Sequence, residues 1–309
     1  MRLKSPRNND SIYRGYIGTL CITITIVIIG FVYVTKYYNV ANPLVPKPFI
    51  ERDPYILVDV TTASSTPPRT DIIPPTATTS PTTLFQYIEV IDGCGPHYDT
   101  NECLNARSGP GVTYPIVASL RNGIVLRTTG EISTEEGVWY RVIFDEWVRY
   151  PERVAPVWYV AGAYVRAFSD VGPLTFDPAH TPTTSKQILI ERSSQTLTAY
   201  EGDTVVMTAT TSTGRAAFPT PRGTFTIFKK TPSRYMQGPL PNIPGSGYYD
   251  LPGVPWNLYF TEQGAVIHGA YWHNSFGAQY SHGCVNLTPV MAQQLYHWAD
   301  VGTTVVVRD

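Results

Sequence analysis

Charge is scarce in this sequence. Only 15% of its 309 residues are Asp, Glu, Lys or Arg, and the formal net charge is −1. That balance gives no footing for nucleic acid or for any strongly charged partner. Cysteine is rare, at four residues. Zinc spacing is missing as well: His268, His273, His282 and Cys284 match no common zinc pattern, and no carboxylate lies close to them in sequence. Neither a metal nor another cofactor is expected. Long apolar runs are absent except for one. Thr, Pro, Tyr and Val, by contrast, are plentiful, and these are strand and turn residues, so the folded part is expected to be mainly β. The length suits two domains with connecting segments.

The single apolar run is Ile17–Val34, uncharged throughout. Eighteen helical residues at about 1.5 Å each span roughly 27 Å, close to a hydrocarbon core of about 30 Å. Arg2, Lys4, Arg7 and Arg14 precede it against one acid, Asp10. Residues 17–35 are therefore expected to form a single transmembrane helix, with residues 1–16 cytoplasmic and the rest outside. A cleaved signal peptide is the alternative, but no clear Ala-x-Ala site follows. Residues 36–85 repeat Pro and Thr, a composition that buries no core and reads as an extended tether.

Residues 86–168 carry short strand patterns. Tyr87–Ile91 alternates, Leu104–Gly111 runs into a tight turn, and Arg121-Asn122-Gly123 between two apolar runs signals a hairpin. Cys94 and Cys103, nine apart, are expected to pair in an oxidising setting, with two free thiols as the alternative. The motifs Leu104–Gly111, Trp139–Val142 and Trp158–Val160 resemble those of a bacterial SH3-like (SH3b) domain, with an insertion around Asp145–Pro156. Members of that family often bind cell-wall polymers; a spacer barrel without a ligand is the alternative. Residues 169–185 read as a second linker, and 186–309 as a second β-rich domain. Near its end Thr288 and Pro289 open a helix whose Met291, Leu295, Trp298 and Ala299 share a face.

The chemistry concentrates in Ser281-His282-Gly283-Cys284-Val285-Asn286. A thiol of ordinary pKa, about 8.5, is mostly protonated at neutral pH. A nearby imidazole can take its proton and leave a thiolate–imidazolium pair. His268, at the end of a strand and followed by Gly269, is one candidate base, and His282 is another. Spacing alone does not choose between them. Gly283 lets neighbouring amides converge on one point, as an oxyanion site requires. A buried, inert cysteine among packed histidines is the alternative.

His268-Gly269 followed by Ser281–Asn286 resembles the active-site signature of the L,D-transpeptidase (YkuD-type) family. Ser212-Thr213-Gly214, Thr220–Phe225 and Pro255–Phe260 agree with it, and the resemblance covers about Lys186–Arg308. It implies a β-sandwich with a short helix. Cys284 becomes the nucleophile and His268 the proton acceptor and donor, oriented by the Gly269 carbonyl. The amides of His282, Gly283 and Cys284 form the oxyanion site, and Ser281, Asn286, Tyr259 and Trp272 lie beside the substrate. Asn286 departs from the Arg that many members carry. The implied function is a peptidoglycan L,D-transpeptidase of the bacterial cell membrane, catalytic domain outside, making 3→3 cross-links between stem peptides with release of D-Ala. An L,D-carboxypeptidase, a protein-to-wall ligase and a non-catalytic wall-binding protein are the alternatives.

Overall fold

Alternating burial builds the first sheet of this computed structural model, which describes residues 83–98, 102–144, 148–179, 184–239 and 247–309. Its strands are β1 (Phe85–Val90), β2 (Leu104–Arg107), β3 (Ile116–Leu120), β4 (Val125–Thr134), β5 (Gly137–Ile143), β6 (Trp158–Ala161) and β7 (Val165–Asp170). They lie in the order β3-β2-β6-β5-β4-β1-β7. Ala106, Leu120, Trp158 and Val160 turn inward. The hairpin signalled by Arg121-Asn122-Gly123 does not form: β3 pairs with β2, and β4 pairs with β1 and β5. The turn instead bonds to the segment after β1, through Asn122 N–H to Cys94 O and Gly123 N–H to Val90 O. Those bonds satisfy the turn and send the chain across the sheet. Cys94 and Cys103 form a disulfide with sulfurs 2.06 Å apart.

Two further five-stranded sheets follow. After β8 (Leu174–Thr175), the chain adds β9 (Lys186–Glu191), β10 (Thr196–Glu201), β11 (Thr204–Thr210), β12 (Gly223–Thr226), β13 (Lys229–Pro239), β14 (Tyr248–Tyr259), β15 (Val266–Gly269), β16 (Val285–Leu287), helix α1 (Pro289–Trp298) and β17 (Thr304–Arg308). One sheet runs β11-β10-β9-β17-β12 and the other β16-β15-β14-β13-β8. Their core is Ile188, Ile190, Leu197, Trp256, Leu258, Ile267, Val285 and Leu295, all at most 1% exposed. Burying an aliphatic or aromatic side chain of this size stabilises by roughly 1.5–3 kcal/mol.

Helix α1 is capped at both ends. The Thr288 hydroxyl accepts from Met291 N–H at 3.3 Å. At the other end, the buried Lys230 ammonium donates to Tyr296 O and Ala299 O at 2.6 and 2.7 Å. Burial lowers that lysine to about 8, while the carbonyls of a helix C-terminus favour its charge. The buried residues are Ala292, Leu295 and Tyr296, with Met291 and Trp298 only partly covered.

All described residues belong to one compact unit, Ile72–Asp309. Within it the first sheet shares cores with the other two. Tyr235, Val254 and Tyr271 pack in the cluster of Leu126, Val142 and Trp158, while Tyr87 and Val125 join the cluster of Trp256 and Leu258. Gly253, at φ +60°, lets β14 approach β4: a β-carbon there would sit 2.4 Å from Val125 O. The segment after β5 reaches the same hairpin, where Tyr150 N–H donates to Gln237 Oε1 at 2.8 Å and Arg153 pairs with Asp250 at 2.5 Å. Within 169–185, β8 pairs with β13.

The mainly β expectation, with a β-rich domain over 186–309, agrees with these sheets. The transmembrane helix in the expected fold is corrected. No helix among the described residues is long and apolar enough to cross a membrane. The α-helix described has ten residues, about 15 Å of rise against a hydrocarbon core of about 30 Å. Residues 17–35, on which that expectation fell, lie outside the described residues, as do 1–16 and most of 36–85.

Candidate active site

Two short parallel strands position the thiol and the imidazole. β15 and β16 pair with Ile267 opposite Val285, His268 opposite Asn286 and Gly269 opposite Leu287. Ile267, Val285 and Leu287 are buried in the sandwich core. Side chains alternate along strands, so His268 and Asn286 share the other face. Cys284, two residues before Asn286, leads into that face. His268, Cys284, Asn286, Ser281 and Trp272 all line one cavity of about 350 Å³.

His268 is 1% exposed, and its Nδ1 lies 3.1 Å from Gly269 O. A carbonyl only accepts, so Nδ1 carries the proton and Nε2 is left with a lone pair. Burial drives the imidazole down to about 4. Cys284 is a free, half-buried thiol whose Sγ is 3.8 Å from Gly264 O. Burial raises its pKa, against the Val266 N–H and the Arg234 charge, which favour the thiolate. The resting pair is therefore neutral thiol and neutral imidazole rather than the ion pair that residue chemistry alone suggests. Desolvation outweighs attraction because both groups are withdrawn from water.

The turn before the cysteine is held by hydroxyls. Ser281 Oγ donates to Cys284 O at 2.5 Å and accepts from Gly283 N–H at 3.1 Å. Thr220 Oγ1 donates to Cys284 O at 3.4 Å and accepts from Gly214 N–H at 2.9 Å. Gly283 has φ +114°, a conformation that disfavours any side chain. Because Ser281 engages the Gly283 amide, an oxyanion contact from that amide requires the hydroxyl to let go.

His282 sits at the exposed rim. Arg215 donates from Nη2 to its Nε2 at 3.2 Å, and Phe218 packs on its ring at 5.3 Å. Burial and then the Arg215 charge lower its pKa. Trp272 packs against His268 at 5.6 Å. Tyr259 is not part of the cavity wall; its ring lies 5.2 Å from Lys229 Nζ and 5.5 Å from the Arg234 guanidinium. His273 belongs to a buried pair: its Nδ1 accepts from Ser275 N–H at 3.0 Å, and its Nε2 lies 2.8 Å from the Asn286 amide. With Nδ1 accepting, the neutral ring carries its proton on Nε2. Among the described residues no three His, Cys, Asp or Glu side chains gather to hold a metal.

Sequence reasoning missed Arg215, Arg234, Met236, Tyr249, Leu251 and Tyr280, which also line the cavity. Tyr280 adjoins the signature and could have been read with it. The others stand 33 to 69 residues before Cys284 and carry no local signal.

A β-sandwich with a half-buried thiol and a buried imidazole on one cavity defines a thiol–histidine site. Residues 185–307 match the family model of the L,D-transpeptidase catalytic domain, YkuD. That segment is similar to L,D-transpeptidase catalytic domains of the YkuD type. A probable L,D-transpeptidase 3 of Mycobacterium tuberculosis is 33% identical over 112 residues, which cover 35% of this chain and 40% of that relative. L,D-transpeptidase 1 of the same organism is 32% identical over 120 residues, 37% of this chain and 47% of its own length. The chain thus spans less than half the length of these curated relatives. A solved L,D-transpeptidase from Mycobacterium smegmatis is 24% identical, covering 55% of this chain and 91% of its own, with a TM-score of 0.38.

Proposed function

We propose that this chain is a peptidoglycan L,D-transpeptidase acting through a thioester on Cys284. The observation that carries the reading is the parallel β15–β16 pairing, which brings His268 and Cys284 to one cavity inside the matched domain. The relatives similar to this segment are named L,D-transpeptidases.

Cys284 Sγ attacks the carbonyl carbon of the L,D-peptide bond before the terminal D-Ala of a tetrapeptide stem. His268 Nε2 takes the thiol proton as the C–S bond forms. This order suits a neutral resting pair, since the charges appear only when the substrate has arrived. The oxyanion is met by amides at His282 and Cys284, and by Gly283 once Ser281 releases it. The C–N bond then breaks, His268 returns the proton to the departing amine, and D-Ala leaves. A side-chain amine of a second stem attacks the thioester, giving its proton to His268. The thiol is regenerated as a 3→3 cross-link forms.

The Cys94–Cys103 disulfide fits an oxidising compartment, and the proposed substrate lies outside the cytoplasm. We therefore place the catalytic domain there. The first sheet reads as an SH3-like module on the motifs of Leu104–Gly111, Trp139–Val142 and Trp158–Val160. Mass spectrometry of products from a purified tetrapeptide tests the activity. Cross-linked dimers are expected; tripeptide alone would make the enzyme an L,D-carboxypeptidase, and a Cys284→Ser variant with undiminished cross-linking would sink the thioester.

A further inference from the structure

A second cavity, of about 430 Å³, opens in the first sheet. Its walls share no residue with the thiol–histidine cavity. Asp92 follows β1, and its N–H donates to Tyr164 O at 3.2 Å. Glu102 precedes β2, beside Cys103. Arg107 ends β2, and Trp139 lies on β5. All five line the cavity, and the Cys94–Cys103 disulfide joins the two segments that carry the acids.

Charges of both signs stand on these walls without meeting. Asp92 and Glu102 are exposed, while Arg107 is half-buried with its Nη1 tied to Tyr114 O at 2.8 Å. Among the described residues none of the three forms an ion pair. Elsewhere arginines do meet carboxylates, as Arg153 meets Asp250 and Arg308 meets Glu191. Trp139 is 3% exposed, and its indole N–H is buried with no hydrogen-bond partner among the described residues. The indoles of Trp158 and Trp256 are unpaired too, but they line neither cavity. A buried donor without an acceptor is costly, and one on a cavity wall can be satisfied by a ligand. The cavity thus offers two anions, one cation and an unused neutral donor. A ligand of a single charge meets part of that set and is repelled by the rest. A ligand with an ammonium and a carboxylate meets all of it.

We propose that this cavity binds a small zwitterion, a molecule with a primary ammonium and a carboxylate, as in an amino acid or a short peptide. Asp92 and Glu102 take the ammonium. Arg107 and the Trp139 N–H take the carboxylate, which suits a guanidinium fork. Tyr164 and Val112 supply apolar surface to the atoms between the two charges. The volume stands toward the small end of ligand sites, roughly 300–1,000 Å³. The inference is independent of the L,D-transpeptidase reading and of the likeness of the first sheet to an SH3-like module.

Titration of the nitrogen-15-labelled full chain, followed at the Trp139 indole N–H resonance, tests it. The probes are alanine, alanyl-alanine, N-acetyl-alanyl-alanine, alanyl-alanine amide and an N-acetylglucosamine trimer. The two zwitterions are expected to shift the Trp139 signal saturably, and the tighter of them names the source, free amino acid or peptide. Blocking either charge of alanyl-alanine is expected to raise Kd about tenfold to a hundredfold, the worth of hydrogen bonds to a charged group. Arg107→Gln is expected to erase the carboxamide penalty alone, and Asp92→Asn combined with Glu102→Gln the acetyl penalty alone. Equal Kd values for the zwitterionic and blocked peptides overturn the proposal, even if the variants do not fold. Both penalties persisting in both variants overturn it too, as does a parent whose Trp139 signal no probe shifts. A shift confined to Trp272 places the peptides in the thiol–histidine cavity and overturns it. A sugar trimer that binds as tightly as alanyl-alanine makes this a glycan site instead.

Discussion

The β13–β14 hairpin has two faces with opposite chemistry. Toward the first sheet it presents Tyr235, Gln237, Asp250 and Val254. Each is met there: Tyr235 by Trp158 and Phe144, Gln237 by Tyr150, Asp250 by Arg153, and Val254 by the shared core. Toward the cavity the same strands present Arg234, Met236, Tyr249 and Leu251. The split is not strict: Met236 and Leu251 also pack against the cluster shared with the first sheet, and the pairing shifts register between Arg234 and Met236. The paired face supplies stability. The other face lines the cavity and carries Arg234.

Substitutions on the two faces should separate activity from stability. The largest effect belongs to the cavity: Cys284→Ala should lower acyl transfer at least about a thousandfold. Its thermal midpoint should stay within about 3 °C of the parent, by calorimetry. A parallel fall in both would mean that the two faces are not independent. Behind the hairpin, Tyr235→Ala should cost about 3–5 kcal/mol in denaturant unfolding, with any residual activity tracking the folded fraction.

The pH dependence probes the cavity face again. His268 has a folded pKa of about 4, lowered by burial from its ordinary 6.5. Between those values the unfolded chain binds more protons, so stability rises with pH. The contribution is complete above pH 6.5 and lost as pH falls through 4. Its size is on the order of 3 kcal/mol. His268→Gln should flatten that acid limb, though His273, also near 4, keeps part of it. The smallest effect is at a surface unrelated to either face: Arg308→Ala breaks an exposed pair with Glu191 and should cost less than about 1 kcal/mol.

Local patterns were legible where chemistry is local. The strands β9 and β10 follow their apolar alternation, and Thr288-Pro289 opens α1 as its capping chemistry dictates. Cys284, His268 and Gly269 were all named by one signature, and the structure places Cys284 and His268 on one cavity with the Gly269 carbonyl against His268. Pairing was not legible. Arg121-Asn122-Gly123 has the composition of a hairpin turn, yet the flanking strands join different neighbours, because hydrogen bonds to Val90 and Cys94 compete with the hairpin. Of the expected helix stripe, Leu295 and Ala299 are buried and Met291 and Trp298 pack partly covered against the same core, while Ala292 and Tyr296 are buried beside them. Tyr259 was expected at the substrate and lies outside the cavity wall.

By itself the sequence determined the β-rich character of the chain and the residues with reactive chemistry, since composition, turn residues and a thiol beside histidines are properties of neighbours in the chain. Only the tertiary structure decided which arginines face Cys284, that burial leaves the thiol and imidazole neutral, and that the first sheet braces the back of the site. Those depend on desolvation and on contacts between residues far apart in sequence, which no local pattern encodes.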